Sequence, residues 1–590
     1  MSISQNYPTT NPSLSLDFAN TKVLDPRITF SRPTSAVYYD GQTVTKAEEN
    51  LVLQSQTFDV SWLVSGASRT ANSTTAPDGT NTADKLIEDS STAVHAVYQA
   101  KTVIATTHTA SVYMKASERS WGFLQFSTGQ LGAYFDLTGG VVGTVSSGFT
   151  ASIQSVNDGW YRCSITTTTT SASWTFAVLT ATGDGVISYT GDGTSGIFIW
   201  GAQLEQRDTA TAYQPTTTQP ITNYIPTLLT VPANSARFDH DPVTGESLGL
   251  LIEEQRTNLV TYSEDFSNGA WLKSKATVTS NIVVAPDGTL TGDKIVENTE
   301  SGMHNCYRSV SLTSGTSYTW SAYFKAGERS WAIIDANTGS QYYTFFNLTN
   351  GTVGTNPAGS TATITPVGNG WYKCTVSRIA TSGTHYMTIL CGLSDNVVTY
   401  TGDGYSGIYI WGAQLEAGAF PTSYIPTVAS QVTRSADSAS MTGANFSSWY
   451  RADEGTLYTD FAPVGVGTAG WYYWFSLNLS ATNTIAIRQY ATGTNNYRID
   501  YNGSAQATND VGASLANVYK KIGLVYKFND IASVYDGSNL TVDSTANIPD
   551  VTRFDIGGSF GVALKTSLYV KKISYFPARL SNEELQEMTS

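Results

Sequence analysis

The chain has 590 residues, enough for about four domains at roughly 150 residues each. Charged residues make up 14% against an ordinary quarter, while aromatics reach 12% with 34 Tyr and 13 Trp, so a disordered chain is excluded. The net charge of −14 and the scatter of Lys and Arg without any basic run exclude a nucleic-acid binder, whose affinity rests on phosphate contacts. Low charge with abundant Thr, Ser, Gly and Tyr reads as β-structure with polar, uncharged faces.

No stretch of about 18 apolar residues is present, so no membrane insertion is expected. The start, MSISQNYPTT, lacks the basic and apolar regions of a signal peptide, which points to synthesis in a reducing cytoplasm. Four Cys are too few for a disulfide scaffold, and five scattered His give no zinc spacing. Cys163 and Cys374 read as buried free thiols; Cys306 and Cys391 are the two that could pair within one stretch of chain.

Residues 1–48 contain Pro and Thr and read as an extended connector. Then the chain repeats itself. ENLVLQSQTFD at Glu49 matches TNLVTYSEDFS at Thr257, and APDGT recurs at Ala76 and Ala285. YMKASERSW ending at Trp121 matches YFKAGERSW ending at Trp331, and NDGWYRC at Asn157 matches GNGWYKC at Gly368. SYTGDGTSGIFIWGAQLE ending at Glu205 matches TYTGDGYSGIYIWGAQLE ending at Glu416. Order and spacing hold throughout, so two modules follow, 49–222 and 257–427, separated by a second connector, 223–256. The repeat words stop at 428, and 428–590 forms a third domain.

Within each module, apolar and polar residues alternate over short runs such as His108 onward, Thr150 onward, Tyr161 onward and Gly196 onward. Period-two alternation rich in β-branched and aromatic residues marks half-buried strands, and PDG, TGG, NDG and GDG mark the turns. The fold class is therefore all-β: tandem antiparallel jelly-roll sandwiches followed by another sandwich. EGTLYTDFAPV, TIAIRQYA, YRIDYNG, YKKIGLVYKF, IASVYDG and KTSLYVKKISYF are the strands of the last domain. One helix is predicted at the end, where Ser581 and Glu584 form a capping box.

Catalytic signatures are missing. A glycosidase needs two facing carboxylates, and neither a Glu-x-Asp-x-x-Glu strand, a GxSxG elbow nor an HExxH helix occurs. Glu118 and Glu328, shared by both modules, are the acid candidates; the structural alternative is an ion pair with Arg119 and Arg329 or with Lys115 and Lys325. No cofactor is required. A structural calcium would use Asp78 and Asp287 or Asp192 and Asp403, whereas Asp in such turns ordinarily caps them.

Sugar recognition by a sandwich needs an exposed aromatic face and amide, carboxylate or guanidinium groups for the hydroxyls. Trp62/Trp271, Trp121/Trp331, Trp160/Trp371 and Trp200/Trp411 are shared between modules and read as core. Gln203/Gln414 and Glu205/Glu416 alternate against the apolar positions and point to the opposite face. The unshared aromatics are the ligand candidates: Trp174 in the first module, Trp320 in place of Ala110 in the second, and Tyr472 and Trp474 in the run GWYYWFS. Alternation sets Trp471 and Tyr473 on one side and Tyr472 and Trp474 on the other. His95 and His304, each followed by a Tyr three residues on, are candidates for a ligand groove, against a strand-edge His bonded to a backbone carbonyl.

The words from Ser15 (SLDFANTKVLDPRITFSRPTSAVYYDG) and from Arg237 (RFDHDPVTGESLGLLIEEQRTNLVTYSEDFS) resemble segments of tailed-phage tail fibre and appendage proteins. KAGERSW, NGWYKC, YTGDG and IYIWGAQLE are similar to the carbohydrate-binding-module-like jelly rolls of those proteins. The sequences from Ser435 and from Ile573 resemble concanavalin A and laminin-G-type sandwiches. The resemblance implies a non-enzymatic virion protein, fixed through residues 1–48 to other virion proteins of the tail, neck or capsid and meeting host-surface polysaccharide with its distal domains. It also implies a homo-oligomer, a trimer in most such fibres. A capsid- or neck-attached decoration protein is the alternative, and a glycan depolymerase with accessory modules is a third reading.

Overall fold

A computed structural model describes residues 8–170, 172–337, 342–381, 384–465, 470–490, 494–513, 515–559 and 566–590. The described residues are nearly all β, with antiparallel pairing in every sheet. No helix among the described residues is long and apolar enough to cross a membrane.

Each module is a sandwich of two six-stranded sheets with the same strand order in both copies. In the first module the central strands of one sheet are Trp160–Thr168, Thr107–Ala116 and Gly196–Glu205, and those of the other are Trp121–Ser127, Ala172–Ala181 and Ala96–Val103. Their alternating residues meet in a core around Leu86, Val112, Leu124, Phe176 and Ile199. The turn words do what their composition dictates: Gly79 and Gly288 of the two APDGT words both take φ of +81°, a region that glycine enters without strain. The predicted terminal helix is present at Asn582–Thr589, with Ser581 and Glu584 completing the capping box.

The connectors behave differently from the expectation. Strand Leu14–Asp17 pairs with Leu568–Phe576, so that Leu14 lies opposite Tyr575. Thr29–Ser31 pairs with Ser438–Thr442. From the second connector, Arg237–His240 and Ser247–Ile252 extend the same sheet through Leu568–Phe576. Leu14, Leu16, Phe18, Ile28, Leu250 and Ile252 all lie in the terminal domain's core. The terminal sandwich is thus discontinuous, an eight-stranded sheet facing a seven-stranded one, assembled from pieces spread over the whole chain.

Both modules are insertions within it. The strand entering the first module, Val44–Asn50, pairs with the strand leaving it, Ile221–Pro226. Arg256–Asn258 pairs likewise with Val432–Arg434 around the second. Where these cords meet, Arg32, Arg237, Arg434, Glu253 and Asp437 form an ion network with almost no solvent contact.

Candidate functional site: a tyrosine groove on the second module

The six residues predicted to meet ligand are all buried. Trp174 packs against Phe126 at 5.3 Å, inside the first core. Trp320 is inside the second. Their absence from the sister module reflects core filling. Ala110 with Trp174 in the first module becomes Trp320 with His385 in the second, so each core holds one indole at these positions. In the terminal domain, alternation is as expected, but Tyr472 and Trp474 form the inward side, Trp474 against Phe461 at 5.6 Å. Trp471 and Tyr473 face outward, where the Arg488 guanidinium lies 3.6 Å from the Trp471 ring.

His95 and His304 are enclosed, and each ring nitrogen faces a backbone carbonyl. For His304 these are Lys275 O at 2.7 Å and Tyr400 O at 3.3 Å; for His95 they are Gly66 O and Tyr189 O. The carbonyl-bonded reading therefore holds, and neither ring is open to a ligand. Three shared Trp pairs are core as expected, while Trp121 and Trp331 are half-buried on an outer face. Gln203 and Glu205 do face away from the core, yet the returning chain covers them: Glu205 accepts the Thr211 N–H at 2.9 Å and the Gln203 amide at 2.8 Å.

Glu118 pairs with Lys85 at 2.7 Å, and Glu328 with Lys294 at 2.7 Å, rather than with their sequence neighbours. Strand pairing brings Lys85 alongside, whereas Arg119 turns to Glu88 and Arg329 to Glu297. The hydrogen bond from Lys85 pulls the Glu118 carboxyl down to about 2, the reverse of what a general acid requires. Asp192 and Asp403 spend their carboxylates within their own turns, accepting the N–H groups of Ser195 and Ser406 at 2.7 Å and their hydroxyls as well. Asp78 and Asp287 cap Thr80 and Thr289. No group of three or more His, Cys, Asp or Glu that could hold a metal ion occurs among the described residues. All four cysteines are free and buried, so Cys306 and Cys391 do not pair.

The groove that sequence reasoning missed lies on the outer face of the second module. Strands Asn305–Ser311, Thr384–Gly392, Trp331–Asn337 and Tyr343–Asn347 lie side by side there. Their outward residues Asn305, Tyr307, Asp335, Tyr343, Tyr386 and Thr388 line a depression of about 320 Å³, within the range of ligand pockets. Tyr307 and Tyr386 meet edge to face at 5.8 Å, with Tyr386 39% exposed. Asp335, 3% exposed, accepts the Tyr342 N–H at 2.9 Å. Burial, with the Asp335 charge adding to it, pushes the Tyr343 hydroxyl up to about 12. Asn305 is 7% exposed; its Nδ2 reaches Met303 O at 3.4 Å, but its Oδ1 has no partner. An unpaired buried acceptor costs about 1–3 kcal/mol.

The first module is an internal control. Its matching positions are Ala96, Tyr98, Gln125, Gly132, Thr175 and Ala177, placed by the same pairing registers. One tyrosine is common; the unpartnered amide and the two further rings belong to the second module alone. The available signal was a set of outward strand positions at which two otherwise matched repeats diverge from small to polar or aromatic.

No family model matches the chain, and no curated protein does. Among solved structures, the sialidase carbohydrate-binding module CBM40 of Ruminococcus gnavus, bound to α2,3-sialyllactose, is 14% identical over 24% of this chain and 84% of that one, with a TM-score of 0.22. The tandem CBM22 domains of Paenibacillus barcinonensis Xyn10C are 12% identical over 63% and 97%, with a TM-score of 0.20. The LG1–3 region of the laminin α2 chain is 9% identical over 83% and 97%, with a TM-score of 0.17.

Proposed function

We propose that the chain is a non-enzymatic glycan-binding protein whose second module holds a saccharide in the tyrosine groove. The observation that carries this reading is Asn305, a buried amide with an unspent acceptor in a groove walled by tyrosines. A sugar hydroxyl would supply the missing donor, the Asp335 carboxylate would accept a second hydroxyl, and the exposed Tyr386 ring would cover the C–H side of the pyranose. The first module, lacking this lining, serves as scaffold and spacer.

The biological setting we propose is a phage virion appendage, supported by the resemblance of the words from Ser15 and Arg237 to tail fibre proteins. The integration of Leu14–Asp17 and Thr29–Ser31 into the terminal sandwich favours that whole domain, rather than a free N-terminal peg, as the part fixed to other virion proteins. Weak sites carried in many copies would then act through avidity.

A glycan array probed with the full chain, beside its Tyr386→Ala and Asn305→Ala variants, tests the binding reading. Hits on the parent that vanish in both variants support it; an array without hits, or hits unchanged in both, refutes it. Immunogold labelling of virions tests the setting, and release of reducing ends from host polysaccharide would overturn the non-enzymatic reading.

A further inference from the structure

The two modules meet over a cleft of about 590 Å³. Tyr113, Arg162 and Tyr213 line it from the first module, and Lys294, Tyr405 and Tyr409 from the second. The wall on the first module has a twin on the second, formed by Tyr323, Trp371, Trp411 and Tyr424. There the surface is closed, because Val37, Ala47, Ile225 and Leu228 of the connecting segments pack into it as one apolar cluster. On the first module the matching cluster of Tyr113, Trp160, Trp200 and Tyr213 contains only that module's own residues.

The charges differ in the same way. Lys373 occupies the closed twin and donates to Thr422 O at 2.8 Å. Its counterpart Arg162 lines the open cleft at 7% exposure. One terminal nitrogen donates to Ser111 Oγ at 3.1 Å, and the guanidinium lies 5.5 Å from the Tyr113 ring. Its Nε has no acceptor, and no carboxylate among the described residues forms an ion pair with it. The cleft's other cations are matched, Lys294 to Glu328 and Lys325 to Glu48, both at 2.7 Å. Glu205, whose field reaches Arg162, is already engaged by Thr211 and Gln203, with Arg207 at 3.8 Å.

We infer that this inter-module cleft is a second binding site, specific for a carboxylate-bearing saccharide such as a uronic-acid unit. A carboxylate accepts from adjacent guanidinium nitrogens in the planar fork that suits arginine. The Tyr409 hydroxyl supplies a partner for the ring hydroxyls, whereas the Tyr213 hydroxyl is held by Ser55 Oγ at 2.7 Å and that of Tyr113 by Tyr405. A neutral sugar would leave the Arg162 donor unpaired, so the site discriminates through that one side chain. The inference is separate from the tyrosine groove and does not depend on it.

The test is calorimetric titration of the full chain with glucuronate- and galacturonate-containing disaccharides and with neutral disaccharides of the same linkage. At least one acidic probe is expected to bind about tenfold or more above its neutral counterpart, and Arg162→Gln to abolish that preference, the scale of one charged hydrogen bond. Should Arg162→Gln fail to fold, Tyr409→Phe is expected to lower acidic-probe affinity severalfold. Equal binding of acidic and neutral probes, no binding of any acidic probe at millimolar concentration, or full retention of the preference in a folded Arg162→Gln or in Tyr409→Phe overturns the inference.

Discussion

Asp437 accepts a hydrogen bond from Arg237 at 2.6 Å with neither side chain reaching solvent. Its other oxygen takes Arg32 at 2.9 Å, while Glu253 holds Arg237 at 2.7 Å and faces Arg434 at 3.5 Å. The residues come from the N-terminal segment, the second connector and the exit from the second module, so the network ties together the cords from which the modules hang. Removing one partner leaves uncompensated buried charge, at a cost of about 3–5 kcal/mol. Asp437→Ala is expected to lower the denaturant midpoint of the terminal sandwich accordingly. An unchanged midpoint would show that the network only fills space.

Acid should unfold this junction through Glu253. Burial alone would raise its carboxyl, but the charges of Arg434 and Arg237 outweigh burial and hold it far below the usual range. An unfolded glutamate titrates near about 4.3. The stabilisation is therefore complete above that value and is lost as pH falls toward the folded pKa. Asp239 acts oppositely: burial raises it to about 6. Its ionisation opposes folding at neutral pH, and that penalty disappears as pH falls from about 6 to about 4. Urea titrations across pH should show Glu253→Gln flattening the limb below about 4 and Asp239→Asn flattening the limb between about 4 and 6. Unchanged limbs would refute the assignment.

The first strand should matter as much as any in the last domain. Leu16 is buried in the terminal core although it lies more than five hundred residues before its partner Ile573. Leu16→Ala is expected to destabilise the terminal sandwich by about 2–5 kcal/mol, as for other buried leucines. Limited proteolysis should then cut within 438–576 before it cuts either module. Cleavage confined to the N-terminal segment would contradict the discontinuous domain.

The repeats and most strands were legible because period-two alternation is local and was written twice, as at Thr107–Ala116 and Ser317–Ala326. Leu14–Asp17 was not, since a four-residue strand carries no mark of a partner so far along the chain. The run 471–474 announced two faces without saying which would meet Phe461, because both carry aromatics. Asn305, Asp335, Tyr343 and Tyr386 come from four strands, and only sheet order brings them to one groove. Asn305 also adjoins His304, whose match with His95 reflects a shared pair of backbone-carbonyl contacts and not the groove.

The comparison of the two modules predicts a gain of function. Ala96→Asn, Gln125→Asp, Thr175→Tyr and Ala177→Thr in the first module would copy the lining of the second, apart from Tyr343, onto the same registers. Gly132 must stay, because a Cβ there would collide with the Leu124 carbonyl. Ala96 and Ala177 are buried in an apolar cluster with Phe123 and Leu179, so the polar replacements are expected to cost about 1–3 kcal/mol each until a ligand pairs them. Titration with a saccharide that binds the parent is expected to move from one groove equivalent to two, read as calorimetric stoichiometry. Unchanged stoichiometry would mean that these residues are insufficient to make the site.

The indoles at 471 and 474 lie three residues apart and should behave as opposites. Trp474 is 1% exposed and donates to Asn495 Oδ1 at 3.0 Å, so Trp474→Ala removes both packing and a hydrogen bond, at about 3–5 kcal/mol. Trp471 is 37% exposed and lies between Arg488 at 3.6 Å and Tyr490 at 4.8 Å. Its loss forfeits a cation–π contact worth about 0.5–1 kcal/mol at an exposed site. Arg488 would keep its bonds to Asn496 at 3.2 Å and Tyr473 at 3.3 Å, so the sheet face should survive. Denaturation midpoints of the two single variants distinguish these roles. Equal losses would contradict the assignment of the two rings to opposite faces.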